Sequence, residues 1–447
     1  TGIYNQFYRF PELIYQPPPE LFFIVAIATS GTAVLATARS VHRSTALPPA
    51  EAMRPAAPEH FQHRWWERLG LERYLGAADK MIVRQLTRKP GKSFFSLIGL
   101  AMACGILMVG NFQQDAVDYM IHVQFKLTQK QDIEVTFNEA VAEKTLYSLR
   151  RLVGVEYVEG YRSVPARIRF QQRSYRTSLQ GLPEQRTLQA VLDTQLQDTQ
   201  LPHEGLLVTA HLAEKLGFAA GDWVEVDILE GQRVSLPIQV TQLSQQFLGT
   251  GVYLRQDLLN RLMNEGPAIN GAMLNIDESQ AQAVYEALRA MPQVAGINLR
   301  QTVIDSLNDS LERVLLFFTF INAVLGCVIA FGVVYNTVRI ALAERGRELA
   351  SLRVLGYSHG EVAYILLGEL ALLILISLPL GFVIGRYLCH IIANNLQSDL
   401  YRIPLVLSPF TYSFAAFMVL LAALFSTIVV VRRLWQLDLV EVLKTRE

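Results

Sequence analysis

The chain has 447 residues, of which 51% are hydrophobic, and its mean hydropathy is +0.24. This composition is typical of membrane proteins rather than soluble ones, and the length exceeds one ordinary domain. Forty basic residues balance forty acidic ones, so the net charge is zero and argues against a protein that binds nucleic acid. The three cysteines share no spacing pattern, which excludes a disulfide framework and a zinc motif.

Apolar segments of transmembrane length recur along the chain. A helix that crosses a bilayer needs about 20 mostly apolar residues, and five segments meet or nearly meet that length. We predict transmembrane helices at about residues 21–38 and at residues 94–111, 312–339, 363–385 and 410–431. The fold class that follows is an α-helical polytopic membrane protein with a large extracytoplasmic α+β domain.

The distribution of basic residues predicts the topology. Residues 39–93 hold eleven basic and five acidic residues, and further basic residues follow the third and fifth predicted spans. Cytoplasmic loops are enriched in Lys and Arg, so these segments belong in the cytoplasm and the intervening ones on the far side. The sequence therefore predicts a cytoplasmic linker at 55–93, an outer domain with a stalk at 112–311, a cytoplasmic segment at 340–362, an outer loop at 386–409 and a cytoplasmic tail at 432–447.

Both ends of the chain carry related sequences. The motif Tyr-Arg-Phe-Pro at 8–11 reappears as Tyr-Arg-Ile-Pro at 401–404, and residues 47–54 match residues 437–444 loosely. Internal repeats are common in transporters. We therefore interpret residues 1–54 as the tail of a first repeat, and we expect the rest of that repeat to lie upstream of Thr1.

The segment between the predicted spans at 94–111 and 312–339 alternates between strand and helix patterns. Predicted strands lie at 133–137, 155–161, 167–170, 175–180, 223–229, 234–241, 273–276 and 294–299. Predicted helices lie at 140–152, 210–216 and 280–291, and a helical stalk at 302–312 leads into the next span. Gly217 is placed to end the second of these helices.

The stretch at 340–362 has the pattern of an amphipathic helix. Leu342, Leu349, Leu352 and Leu355 form its apolar stripe. Its polar residues are Glu344, Arg345, Arg347, Glu348, Ser351 and Arg353. Helices that lie on a membrane surface are usually rich in Lys and Arg, whereas mixed signs favour a complementary protein partner. Gly356 is placed to end this helix.

Two short motifs admit a catalytic and a structural interpretation. Residues 356–360 match the G-x-S-x-G nucleophile elbow, which would make Ser358 the nucleophile of a membrane-bound serine hydrolase. That elbow requires a preceding strand, and here a helix is predicted, so Ser358 with Glu361 is better explained as a helix capping box. Residues 90–93 resemble the end of a P-loop, but Leu86 stands where the motif requires glycine.

The fourth predicted span contains a carboxylate, Glu369. An ionised Glu at mid-bilayer is costly, so this residue either handles protons or substrate, or pairs with a neighbouring helix or snorkels towards the surface. Pro379, Gly381 and Gly385 in the same span permit a kink and a close approach between helices.

Three stretches carry a resemblance to a known family. They are the helix from Glu344 to Gly356 after a span, the sequence GLLVTAHLAEKLGFAAGDWV at 205–224, and the signature Pro-Ala-Glu-Ala-Met-Arg at 49–54. The chain resembles the FtsX-like permeases, which are membrane subunits of ABC transporters of the MacB and lipoprotein-releasing type. Residues 75–447 resemble one complete four-span unit of that family.

The resemblance implies a function and its partners. A separate ATPase subunit, which binds ATP and Mg²⁺, is expected to dock on the segment from Glu344 to Gly356, while this chain binds no cofactor and no metal and catalyses no reaction. Further expected partners are an upstream half of the same permease, membrane lipid, and a periplasmic adaptor or enzyme. The expected location is the bacterial inner membrane, and the expected work is the export or extraction of an amphipathic cargo such as a lipid, lipoprotein, peptide or drug-like molecule. The alternative is a regulator that transmits force to a periplasmic enzyme without transport.

Overall fold

A computed structural model describes residues 19–45, 76–88, 90–193, 195–247, 249–396 and 402–435. The chain divides into two units, residues 1–80 and 81–447. The sequence repeats at 8–11, 47–54 and 437–444 lie outside the described residues, so they stay predictions. The described helices are α1 Pro19–Thr45, α2 Ala77–Arg88, α3 Pro90–His122, α4 Thr145–Arg150, α5 Ala210–Leu216, α6 Gln256–Leu262, α7 Ala281–Arg289, α8 Arg300–Val354, α9 His359–Asn395 and α10 Pro409–Trp435.

Four helical segments in the described part of the chain are long and apolar enough to cross a membrane. They are Pro90–Thr128, Arg300–Ala343, Gly360–Asn395 and Pro409–Val429. A shorter apolar stretch, Phe22–Leu35, lies within α1 at the position of the first predicted span. Four long apolar helices and one shorter one are consistent with the predicted set of five.

Helix α3 is longer than the sequence predicts. The apolar run ends near residue 111, but the helix continues to His122 and passes into a π-helical turn, Val123–Thr128. Polar residues after 111 end the hydropathy signal, whereas Phe112, Ala116 and Met120 recur every fourth residue and are buried. The predicted boundary at 112 therefore falls inside a helix that carries the chain beyond the bundle.

The four long helices pack into one bundle around α3. Their shared apolar core includes Leu107 and Met108 of α3, Val334 of α8, Leu370 of α9 and Val419 of α10. Hydroxyl groups add bonds between helices, such as the 3.0 Å contact between Ser96 Oγ and Thr337 Oγ1. Without a hydrophobic effect between helices in lipid, close packing and such polar contacts hold spans together.

Glycines on α9 bring it close to α3. A Cβ atom added at Gly381 would lie 2.7 Å from Cys104 Cβ and 3.1 Å from the carbonyl oxygen of Ala101. Four residues later, a Cβ atom at Gly385 would lie 3.2 Å from Gly105 Cα. The two predicted small residues thus form a helix crossing in which the backbones nearly touch.

The outer domain is α+β, and its nine described strands form one sheet. They are β1 Ile133–Ala142, β2 Val155–Phe170, β3 Arg173–Leu182, β4 Leu206–Thr209, β5 Trp223–Ile228, β6 Ser235–Ser244, β7 Val252–Arg255, β8 Ala268–Ile276 and β9 Val294–Leu299. The order along the sheet is β3-β7-β4-β6-β5-β2-β8-β1-β9, and β3 also pairs with β2. Six strands therefore close into a ring, while β8, β1 and β9 extend from it.

Strand β2 joins two hydrophobic cores. Its first half pairs with β8 next to a core that includes Leu149, Leu274 and Leu288. Its second half pairs with β3 and β5 around the ring core, where Ile168 and Leu179 are fully buried. A strand of 16 residues spans both layers and makes the outer domain continuous.

The sequence misassigns one segment of the domain and misses others. The predicted helix at 140–152 is shorter, because β1 runs on past a bulge until Ala142 pairs with Ala268, and only Thr145–Arg150 is helical. Strands β4 and β7 and helix α6 were not predicted. Both strands have four residues, all of them buried except the partly exposed Arg255, and such short runs carry no alternation to reveal them.

Candidate functional site

The predicted ATPase-coupling segment forms the end of α8. The helix reaches Val354, and Gly356 follows with a φ of +98°, which favours glycine and ends the helix. The side chains from 344 to 353 lie outside the described residues, so the roles of Glu344, Arg345, Arg347, Glu348, Ser351, Leu352 and Arg353 stay predictions. Val354 and Leu355 are 76% and 75% exposed, and they present apolar surface at this end.

Ser358 is held as a helix cap. Its hydroxyl accepts a 3.3 Å hydrogen bond from the backbone N–H of Glu361 and donates a 3.0 Å hydrogen bond to Glu361 Oε2. The Ser358 backbone N–H donates to the same carboxylate at 2.8 Å, which completes the capping box that begins α9. Helices on both sides of Ser358 differ from the strand-turn-helix context that a nucleophile elbow needs.

Glu369 lies on α9 near the packing of α2 against that helix. It is half-buried, and the neighbouring Gly368 is in close contact with the Ile82 side chain of α2. The Glu369 side chain is therefore partly shielded, and the residue directly follows a position where two helices are in contact. Both interpretations of this residue, handling of protons or substrate and pairing within the bundle, stay open.

The chain passes between the bundle and the outer domain at two chain crossings. A set of polar contacts, which we call the joint, connects these two crossings. The chain enters the domain after the π-helical turn and leaves it where β9 ends and α8 begins. Arg300 Nη2 donates to Asp132 Oδ1 at 2.8 Å, and the Arg300 backbone N–H donates to the Asp132 carbonyl at 2.9 Å. Asp132 Oδ2 also accepts from the Ile276 backbone N–H at 3.1 Å.

This joint fixes the start of α8 to the sheet. Arg300 Nη1 donates to the Lys130 carbonyl at 3.0 Å, so one guanidinium spans both crossings. Its side chain is 31% exposed and that of Asp132 is 25% exposed, which keeps the pair partly shielded from solvent. Both chain crossings are thereby held to the sheet at one point.

A second connection runs through residues 402–408, which we call the strap. At its bundle end, Asp115 of α3 accepts hydrogen bonds from Ser408 N at 2.8 Å, Ser408 Oγ at 2.7 Å and Thr411 Oγ1 at 2.6 Å. Because α10 begins at Pro409, the Asp115 carboxylate also lies beside the positive end of that helix. The strap is thus fixed firmly to the bundle.

At its other end the strap reaches the outer domain through Arg402. Nη2 donates to Glu214 Oε2 of α5 at 2.9 Å and contacts His211 Nδ1, and the backbone N–H donates to the Phe247 carbonyl at 2.8 Å. The Phe247 ring packs edge-on against Tyr119 of α3, with ring centroids 5.9 Å apart.

Sequence reasoning missed the residues of both connections. It noted Arg402 only within the repeated motif Tyr-Arg-Ile-Pro at 401–404, and it did not single out Asp115, Asp132 or Arg300. The sequence did contain one signal for Asp115. This carboxylate follows one apolar run, and a Ser-Pro pair precedes another, so the start of the second helix needs a charged partner.

One family model matches the C-terminal part of the chain. Residues 320–439 match the family model described as FtsX-like permease C-terminal. The periplasmic region of MacB from Actinobacillus actinomycetemcomitans is similar at 11% identity and a TM-score of 0.29, over 40% of this chain and 94% of that one. The extracellular domain of the noncanonic ABC-type transporter YknZ from Gram-positive bacteria is similar at 14% identity and a TM-score of 0.28, over 37% of this chain and 100% of that one. No match was found among curated proteins.

Proposed function

We propose that this chain, an FtsX-like permease by the match of residues 320–439, converts ATP hydrolysis by a separate ABC ATPase into movement of its outer domain. ATP and Mg²⁺ bind to that partner, and the chain itself performs no catalysis. The work done by the movement is the export or extraction of an amphipathic cargo, such as a lipid, lipoprotein, peptide or drug-like molecule.

The observation that carries this proposal is the continuity of α8. The helix has 55 residues without an interruption, which at 1.5 Å per residue is roughly 80 Å of rigid rod. One end is fixed to the sheet through Asp132 and Arg300, and the other is the predicted coupling segment. A rod of this length transmits an axial or tilting displacement from a partner at one end to the domain at the other.

The exposed end of α8 suits a protein partner. Val354 and Leu355 are apolar and mostly exposed, and the sequence places mixed charges on the preceding turns. Interfaces combine an apolar centre with complementary charges around it. The enrichment of basic residues favours the cytoplasm for this end and the far side of the membrane for the outer domain. The family resemblance favours a bacterial inner membrane, in which that far side is the periplasm. An upstream half of the permease and membrane lipid would cover the remaining span surfaces, and a periplasmic adaptor or enzyme would receive the movement.

Charge reversal at the coupling segment tests the ATPase contact. We expect the variant with both Glu344→Arg and Glu348→Arg to lose the ATPase that co-purifies with the native chain. A cleft that is complementary to the two native carboxylates would repel the two arginines. Glu278→Arg, an exposed substitution on the outer domain, is the matched control and should retain it. Equal recovery of the ATPase with the double variant and the control would refute the coupling role.

The rate of ATP hydrolysis by the co-purifying ATPase distinguishes transport from regulation. If the chain moves an amphipathic cargo, added lipid or lipopeptide should raise the rate of ATP hydrolysis by the complex. If it regulates a periplasmic enzyme without transport, only a periplasmic protein should raise that rate.

A further inference from the structure

The strap is held at two ends of unequal strength. At the bundle end, one carboxylate accepts three hydrogen bonds, and Leu407 and Ile403 pack against a buried cluster around Phe112 and Cys389. This anchor combines charge-assisted hydrogen bonds with apolar packing. The strap therefore belongs mechanically to the bundle.

The end on the outer domain is more open to solvent. Glu214, which pairs with Arg402, has a side chain that is 77% exposed, whereas the Arg402 side chain is 19% exposed. Ion pairs with such an exposed partner are weak and are screened by salt. Beside this pair, a single backbone hydrogen bond to Phe247 and the contact with His211 complete the attachment.

The difference between the two ends decides which one releases. If the outer domain moves against the bundle, one attachment of the strap must break or stretch, and the attachment whose ion pair is exposed to solvent opens first. The partners of Arg402 all lie on the outer domain, in α5 and next to β6, whereas the partners of Ser408 lie on α3. The outer domain and the bundle would therefore separate at the Arg402 contacts.

We propose that Arg402 is a latch that holds the outer domain against the helix bundle and opens when that domain moves. This inference rests on the proposed function for the purpose of the movement, but the contact itself needs no ATPase. The Arg402 guanidinium is a positioning group, because its contacts with Glu214 and His211 fix the resting arrangement of the two bodies.

The latch can be tested on the full chain in detergent by measuring the distance between two spin labels. Ala220 is exposed just beyond α5, and Leu396 is 47% exposed at the end of α9. Cys104 and Cys389 are buried, so replacing Cys327 by alanine leaves the introduced Ala220→Cys and Leu396→Cys thiols as the accessible ones. We expect one narrow distance population in this background, and a second, longer population after Arg402→Gln or Glu214→Gln.

An ion pair inside the outer domain provides the control. Arg255 pairs with Glu184 at 2.9 Å without contacting the bundle, so Arg255→Gln should leave the narrow population unchanged. An Arg402→Gln distribution that superimposes on the native one, or an equal broadening by Arg255→Gln, would overturn the latch. No ATPase is present, so a negative result refutes the latch alone, while failure of the charge-reversal experiment refutes the coupling segment.

Discussion

Replacing Gly381 by alanine tests the close crossing of α3 and α9. The new methyl group would lie 2.7 Å from Cys104 Cβ, 3.0 Å from Cys104 Sγ and 3.1 Å from the Ala101 carbonyl oxygen. Two of these neighbours are fixed to the backbone of α3, so the helices must separate. Forcing an extra methyl group into a packed core costs about 1–3 kcal/mol.

A second glycine isolates this packing cost. Gly332, in the α8 span, has no atom within 4 Å of an added Cβ, so Gly332→Ala changes only helix propensity. Alanine gains up to about 1 kcal/mol over glycine in a helix, and this gain is common to both variants and cancels in their comparison. Gly381→Ala should therefore be less stable than Gly332→Ala by about 1–3 kcal/mol.

Unfolding of the two variants in mixed detergent micelles, followed by far-ultraviolet circular dichroism, measures this difference. Each variant is compared with the native chain at the same detergent composition. Equal stabilities for the two alanine variants would show that the crossing has room for a methyl group, and the account of the bundle core would be wrong.

Two further substitutions test the outer domain and its joint. Burial alone would raise the pKa of Asp227, but hydrogen bonds from Arg169 and Ser235 hold that pKa below its ordinary value of 3.8. The ionised carboxylate therefore stabilises the folded domain above that pH, and this contribution is lost as the pH falls further. In measurements of the free energy of unfolding against pH, Asp227→Asn should reduce the loss of stability at acid pH. The same loss in the variant and the native chain would contradict this prediction. Asp132→Ala removes a partly shielded pair with Arg300 and should accelerate amide hydrogen exchange at residue 300, whereas native protection there would refute the joint.

Much of the helical part of the structure could be predicted from the sequence. Helix α5 and strand β9 have the predicted bounds, and the stalk continues into the α8 span without a break. Gly217 ends α5 with a φ of +85°, and Ser358 caps α9. These features depend on residues within one or two turns of each other, so a single sequence contains the whole signal.

The strand ring and both connections could not be predicted in this way. Closing the ring requires β3 to pair with β7 as well as with β2, and nothing in the four residues of β7 specifies such a partner. Arg300 and Asp132 are 168 residues apart in the chain, and Arg402 and Glu214 are 188 apart. Such pairs come together only when the domain is folded, so each charge looks like ordinary polar surface in the sequence.

The most direct test of the account is the response of the outer domain to ATP. In the complex with the co-purifying ATPase, spin labels at positions 220 and 396 should change their distance when ATP is added. Asp132→Ala should leave ATP hydrolysis in place and reduce that change, because α8 loses the Arg300–Asp132 ion pair that helps to fix it to the sheet. A native complex that hydrolyses ATP without any change in distance, or an Asp132→Ala complex that responds as the native one does, would contradict transmission through α8.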